Sequence, residues 1–208
     1  MILLSGADLV LPDRVLTGTL LIDGDRISEI APGEQELPPE GGSYGDVSFA
    51  FRDHYVVPGF IDVHVHGLEG IDTLDGGAAI ATMAERMPRF GVTAFCPTSI
   101  ACEPIALRNM LAGVRIARTT RPPGGARVLP AHLESNFINP EYKGAQPLAC
   151  LRAIRAQRLT STLRGEEWTG DDILAEIAAA RPDVGIVTIA PELEGALDLI
   201  RDLVAHGH

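Results

Sequence analysis

The segment VVPGFIDVHVHG, residues 56–67, decides the fold class of this chain. It reads as an apolar strand that ends in two histidines, His64 and His66, followed by a glycine. Residues two apart in a strand point to the same face, so the two imidazoles project together. Parallel α/β barrels place their active sites at the carboxyl ends of the strands, and imidazole is a preferred ligand of transition metals. The segment therefore predicts a metal site at the end of a first parallel strand.

The sequence after this segment alternates between strands and helices. Continuous apolar strands that alternate with helices indicate a parallel sheet covered on both faces. Four βα units fit either a small open doubly wound sheet or half of an eight-unit barrel, and the metal chemistry favours the barrel. We predict an α/β fold in which residues 56–208 form the N-terminal part of a (β/α)₈ TIM-type barrel. The predicted strands are 56–66, 91–98, 127–133 and 184–190, and the predicted helices are 77–89, 104–118, 171–180 and 193–205.

The first 55 residues follow a different pattern. Two alternating apolar runs flank the turn Asp23-Gly24-Asp25, which is a good signal for a β-hairpin. Residues 32–45 are rich in Gly, Pro and Glu and predict a loop. Residues 1–55 are therefore expected to form a small antiparallel β unit. We interpret it as a β-sandwich segment that is incomplete without further strands.

The composition limits the class of partner. A net charge of −11 argues against nucleic acid, because phosphate binding favours a basic face. No stretch approaches the roughly 20 apolar residues that a membrane span needs, and the start of the chain lacks the basic region of a secretory signal. Three cysteines without a C-x-x-C pair indicate reduced thiols. We therefore expect a cytoplasmic protein that acts on a small molecule.

A second group of polar residues follows the third predicted strand. His132 and Glu134 share a face by the same alternation, and a carboxylate near an H-x-H pair can ligate or bridge metals. The loop that follows, residues 135–147, lies where substrate-reading βα loops belong. Lys143 could meet an anionic group there and Gln146 a hydroxyl or amide, although both are also ordinary residues of a surface loop.

At these residues the sequence resembles the amidohydrolase superfamily and, more narrowly, the N-acetylglucosamine-6-phosphate deacetylases. The resemblance implies a (β/α)₈ barrel beside a small β-sandwich, with zinc, iron or another divalent metal activating a water. It also implies hydrolysis of N-acetylglucosamine 6-phosphate to glucosamine 6-phosphate and acetate. Besides the first segment, it is carried by LLIDGDRISEI (20–30), GVTAFCPTS (91–99), HLESNFINPEYKGAQP (132–147) and IAPEL (189–193).

Residue by residue, the resemblance places Glu134 on the metal-binding glutamate of the family. His64 and His66 fall on the strand-one pair, which ligates a second metal in the members that keep it. Ala145 and Gln146 fall in the loop that contacts the sugar.

The same loop carries two more candidate substrate contacts and two departures from the family. Asn136 and Lys143 complete the predicted substrate-binding set. Ser135-Asn136 stands where the family usually has Gly-Pro, and Gln146 stands where a histidine is common. Both departures bear on the exact sugar and leave the hydrolase chemistry intact.

The resemblance covers the first half of a family barrel. The remaining metal histidines and the general-base aspartate of the family lie on later strands, the first of them expected just beyond His208. We therefore predict a truncated chain that is weakly active or inactive by itself. Exposed sheet edges and apolar surface predict a homodimer.

Two other functions fit part of the sequence. Another amidohydrolase, of the dihydroorotase-like or cyclic-amide type, shares H-x-H but commonly has a lysine at the end of strand four, which here reads Ala190-Pro191-Glu192. A non-catalytic half-barrel assembly that binds metal is the alternative from a different class. A flavodoxin-like module explains neither the H-x-H strand nor the N-terminal β unit.

Overall fold

The computed structural model describes residues 1–34, 47–154 and 168–208, and its contacts divide the chain into two units, Met1–Pro58 and Gly59–His208. The loop predicted over residues 32–45 lies outside the described residues from position 35 onward.

The first unit is a five-stranded sheet. Asp23 pairs with Arg26 across a two-residue turn, in which Gly24 has a φ of 60°. Glycine adopts this left-handed conformation without steric cost, which is what such a hairpin turn requires. The predicted hairpin is therefore confirmed. The strands are β1 (Ile2–Val10), β2 (Val15–Asp23), β3 (Arg26–Pro32), β4 (Val47–Ala50) and β5 (Tyr55–Val56).

This sheet is mixed, and the prediction of a wholly antiparallel unit is wrong. β2 runs antiparallel to both β1 and β3, but β4 and β5 pair with β1 in parallel. The chain returns to β1 after a long connection, and only such a connection permits parallel pairing. Val56 pairs with Leu9 in this sheet, so it does not begin the histidine strand as the sequence predicted. The buried core of the unit is Ala7, Leu9 and Leu20.

The second unit is a mixed α/β structure with a parallel sheet. Its strands are β6 (Phe60–Val65), β7 (Gly67–Leu68), β8 (Ile71–Asp72), β9 (Val92–Ser99), β10 (Arg127–Val128), β11 (Ala131–Glu134) and β12 (Val184–Thr188). Its helices are α1 (Ala79–Arg86), α2 (Pro104–Thr119), α3 (Gly170–Ala179) and α4 (Ala196–Ala205). β7 and β8 form a separate antiparallel pair.

The parallel strands lie side by side in the order in which the chain makes them. β6 pairs with β9, β9 pairs with β10 and β11, and β11 pairs with β12. A doubly wound sheet instead reverses its strand order at a switch point. The described strands have no such reversal, which argues against the open doubly wound alternative.

The predicted helices and strands of this unit are confirmed, and three of the differences in their bounds are explained by the local backbone. The third strand is divided into β10 and β11 around Pro130, which has no N–H to donate to the ladder. The first strand begins at Phe60, after the Pro58-Gly59 break. The last helix begins at Ala196 rather than 193, because Gly195 at its N-cap has a φ of 82°.

The hydrophobic core of this unit lies between the parallel sheet and the helices. α2 contributes apolar residues three and four positions apart, which form one stripe along the helix. Phe95 of β9 and Leu133 of β11 are buried against this layer. None of the helices within the described residues is long and apolar enough to cross a membrane. The buried apolar residues of α2 are Leu107, Met110, Leu111, Val114 and Ala117.

Candidate metal centre

Two histidines lie together at the carboxyl end of β6. The His64 N–H donates to a carboxylate oxygen of Asp62 at 3.0 Å, which ties the backbone at the strand end. The Val65 N–H donates to the hydroxyl of Thr98 at 2.9 Å. Nδ1 of His66 lies 3.2 Å from the carbonyl oxygen of Thr98. β9 therefore orients the strand that carries both imidazoles.

The two imidazoles and one carboxylate converge. Nε2 of His64 lies 3.1 Å from Nε2 of His66. Nε2 of His66 lies 3.4 Å from a carboxylate oxygen of Glu134 on β11, and Nε2 of His64 lies 4.0 Å from the other oxygen. All three donor groups offer an atom within 4.8 Å of the others, and all three side chains are partly exposed.

This donor set fits a divalent metal. Zinc binds nitrogen and oxygen at about 2.0–2.2 Å, so neighbouring ligand atoms in a tetrahedral site lie about 3.3 Å apart. The carbonyl of Thr98 only accepts hydrogen bonds, so Nδ1 of His66 donates to it and Nε2 keeps a free lone pair. Two imidazoles and a carboxylate leave a fourth tetrahedral position open, and the partial exposure of the site gives access to it.

His132 lies close to the three donor groups, but both of its ring nitrogens form hydrogen bonds with other residues. Its ring lies 4.9 Å from that of His64. Its Nδ1 donates to the carbonyl of Val63 at 2.9 Å, and its Nε2 accepts from the hydroxyl of Thr188 at 2.8 Å. Burial lowers the pKa of His132 below its ordinary value, and the hydrogen bond to Val63 acts in the opposite direction. Both ring nitrogens are thus occupied, so His132 supports the strand ends and offers no atom to a metal.

Gln146 holds the metal-facing carboxylate. Its side-chain amide donates to Glu134, and its amide oxygen accepts from the Ala101 N–H at 2.7 Å. Gly144, with a φ of 57°, permits the turn that brings Gln146 back to the strand end. The Gln146 residue is only 5% exposed. Its position fixes Glu134 relative to the loop that follows β9.

The curated proteins most often matched by this chain are N-acetylglucosamine-6-phosphate deacetylases. No protein-family model matches the chain. The mouse N-acetylglucosamine-6-phosphate deacetylase is 36% identical over 156 residues, and the Vibrio furnissii enzyme of the same name is 34% identical over 155 residues. The chain belongs to the N-acetylglucosamine-6-phosphate deacetylase family.

The match covers only part of each relative. Both alignments take in 73% of this chain and 35% of the relative, so the chain spans about a third of the length of the curated relatives it matches. The solved structure of the Mycobacterium smegmatis enzyme superposes with a TM-score of 0.73 at 26% identity, covering all of this chain and 52% of that one. The family therefore accounts for both described units.

Two of the other predicted substrate contacts of the family loop, Asn136 and Lys143, donate hydrogen bonds to backbone carbonyls. Asn136 is 2% exposed, and its amide donates to the carbonyls of Cys102 and Cys150 at 2.7 Å each. Lys143 donates to backbone carbonyls of its own loop, that of Gln146 at 3.0 Å among them. Ala145 is exposed. The structure thus gives Asn136 contacts that brace the loop, and substrate contact by all these residues stays a prediction.

Sequence reasoning missed three hydroxyls that support the site. The Thr98 side chain is fully buried and bonds β6 to β9, while the Thr188 hydroxyl fixes His132. The Ser135 hydroxyl donates to the Thr188 carbonyl at 2.5 Å. Each lies at or next to the end of a parallel strand, and that position was the signal available in the sequence.

Proposed function

We propose that the polypeptide containing this chain deacetylates N-acetylglucosamine 6-phosphate in a metal-dependent hydrolysis, giving glucosamine 6-phosphate and acetate. The observation that carries the proposal is the convergence of His64, His66 and Glu134 at the ends of neighbouring parallel strands. The reaction and the substrate class come from the relatives, whose name states both.

We propose that the second unit, Gly59–His208, is the first four units of a (β/α)₈ barrel and that the first unit, Met1–Pro58, is part of a β-sandwich. The sequential order of the parallel strands supports the barrel, because each new strand is added beside the previous one. In such a barrel the carboxyl ends of the strands form the active-site face, where the three donor groups lie.

His64, His66 and Glu134 would hold the ion, with zinc as the first candidate and iron or another transition metal as alternatives. A bound divalent ion lowers the pKa of a coordinated water and polarises the acetamide carbonyl. The chain's own contribution is orientation: the Thr98 carbonyl sets the tautomer of His66, and Gln146 fixes the carboxylate of Glu134. Hydrogen bonds that orient metal ligands in this way tune metal affinity.

Proton transfer and sugar binding complete the proposal. Hydrolysis needs a group that moves a proton between the water and the leaving amine. The family resemblance implies an aspartate for this step, and no described residue is assigned to it. Asn136, Lys143, Ala145 and Gln146 remain the proposed substrate-binding residues of the loop after β11. Of these, Ala145 is the one whose exposure leaves it free to meet a sugar directly.

The test is acetate release from N-acetylglucosamine 6-phosphate with zinc added, together with the zinc content of the protein. Glu134→Ala should lower turnover at least about 100-fold and reduce bound zinc, because it removes one of three ligands. Glu141→Ala is the matched control, since Glu141 is an exposed glutamate of the same loop. Equal zinc content and equal turnover in the two variants would contradict the proposal. The same assay on a chain extended past His208 measures what later residues add.

We also propose a homodimer in solution. The support is apolar exposure on β6, where Phe60, Ile61 and Val63 are 60%, 64% and 51% exposed. Large apolar side chains grouped on one strand are typical of an interface. A monodisperse monomer in light scattering across the micromolar range would contradict it.

A further inference from the structure

A second concave site lies at the opposite end of the parallel sheet. It is a cavity of about 710 Å³ beside the amino ends of β10 and β12, reached from the end of α2. This volume lies within the range of about 300–1,000 Å³ that is usual for sites that bind small molecules. Its lining residues include four arginines and a single acidic residue: Arg115, Arg118, Arg121, Arg127 and Asp183.

The charge of this arginine cavity is opposite to that of the chain. The protein has 28 acidic and 17 basic residues, yet four of the basic ones line this one cavity. The carboxyl ends of α2 and α3 add a partial negative charge of about a half each. With the carboxylate of Asp183 included, four guanidinium groups still leave an excess of about two positive charges. Electrostatics therefore favours an anion.

The arginines are held in place and keep donors to spare. Asp183 accepts from Nε of Arg115 at 2.6 Å and from Arg118, and only 7% of its side chain is exposed. Nε of Arg121 donates to the Gly125 carbonyl at 2.9 Å. A guanidinium has five N–H donors, so each of these three can still bind an anion. Preorganised guanidinium groups lose less side-chain entropy on binding.

Arg127 is the arginine with the greatest freedom. It is exposed at the start of β10, and among the described residues no hydrogen bond or ion pair of its side chain is found. The spacing of Arg115 and Arg118 on α2, with Arg121 just beyond the end of the helix, would by itself indicate only a solvated helix face. Arg127, from a strand, joins them in the folded chain, which turns a helix face into a concave site.

The cavity is separate from the metal centre. Arg127 and Glu134 stand at opposite ends of the β10–β11 segment, seven residues apart, which corresponds to a separation of up to about 23 Å at 3.3 Å per residue. The two sites have no residue in common, so an anion in the arginine cavity is a ligand distinct from a substrate at the metal.

We propose that the arginine cavity binds the phosphate group of a small, multiply charged anion. Arginine pairs bidentately with phosphate, and such charge-assisted bonds are roughly twice as strong as neutral ones. Lys143, in the loop after β11, is less suited to binding phosphate, because its ammonium already donates to two backbone carbonyls. The proposed anion site thus lies away from the proposed chemistry.

The test is calorimetric titration of the full chain with pyrophosphate. Arg127→Gln should weaken binding at least about tenfold, and its fold should be unchanged because the side chain makes no contact that the described structure depends on. Arg201→Gln is the matched control, because it removes an equal charge from an exposed site on α4 and should change binding less than twofold. Glu134→Ala should also leave binding unchanged.

Three results would overturn the inference: no binding by the unaltered chain, equal weakening by the two arginine variants, or loss of binding in Glu134→Ala. The last result would place the anion at the metal centre. Competition with glucosamine 6-phosphate and with adenosine diphosphate distinguishes the sources. If either compound displaces pyrophosphate, the cavity accepts an organic phosphate. If neither displaces it, the cavity prefers inorganic phosphates to these two compounds. The assay needs no turnover, so its failure is distinct from failure of the proposed deacetylation.

Discussion

The two ends of the parallel sheet are built with opposite chemistry. At the carboxyl ends, the partly exposed side chains of His64, His66 and Glu134 bring potential metal ligands within 4.8 Å of one another. At the amino ends, Arg118 and Arg127 line a cavity with N–H donors. The same strands connect both ends, so the difference comes from which side chains stand at the strand ends. One end is suited to a cation and the other to an anion.

Asp183→Ala should have the largest effect on stability. The carboxylate is nearly buried and neutralises Arg115 and Arg118, so its removal leaves two close cations without their partner. We expect a loss of about 3 kcal/mol in the free energy of unfolding in urea, near the low end for buried pairs because Arg115 is half exposed. Asp198→Ala alters an exposed pair with Arg201 and should cost about 0.5 kcal/mol or less. Similar losses in both variants would show that the amino end is not organised around Asp183.

Gln146→Ala should have the next largest effect, at the carboxyl end. Without the amide donor, Glu134 is free to rotate, and zinc affinity measured by chelator competition should fall about 10–100-fold. Asn139→Ala is the control from the same loop, because its amide donates to Glu192 instead. If the two variants retain equal zinc affinity, then Gln146 does not position the metal ligand. A histidine at 146, common in the family, keeps a donor and should retain most of the affinity.

Thr188→Val should have the smallest effect and separates His132 from the metal ligands. The change keeps the shape of the side chain and removes the hydroxyl that donates to Nε2 of His132. We expect a loss of about 1–2 kcal/mol in unfolding free energy, the cost of an unsatisfied buried acceptor. Zinc affinity should change less than about threefold. A larger loss of affinity with unchanged stability would make His132 part of the metal centre.

Local pattern was sufficient to predict most elements of the second unit. The helical spacing in 104–118 matches α2, because an amphipathic stripe on one helix is a property of the local sequence. The first unit was predicted to be antiparallel, and the parallel pairing of β4 and β5 with β1 was not predicted, since strand direction depends on partners distant in the sequence. The late start of α4 at Ala196 depends on the φ of Gly195, which the spacing of apolar residues in the sequence does not specify.

The candidate site divides in the same way. The alternation of side chains along a strand placed His64 and His66 on one face of the first strand. The same alternation placed Glu134 on one face of the third strand, together with His132. Contact of Gln146 with the sugar stays a prediction, and the fold adds its hydrogen bond to Glu134, a contact between a loop and a strand that no spacing rule contains.

The sequence by itself determined the strand and helix periodicity, the hairpin at Gly24 and the chemical types of the ligand groups, because these depend on neighbours within a few residues. Only the tertiary structure decided which groups meet. It brought β6 and β11 to either side of β9 so that three ligand groups lie within 4.8 Å, and it joined Arg127 to the arginines of α2 around one cavity. Contacts of this kind arise from packing between segments distant in the sequence, and local pattern carries no information about their distance.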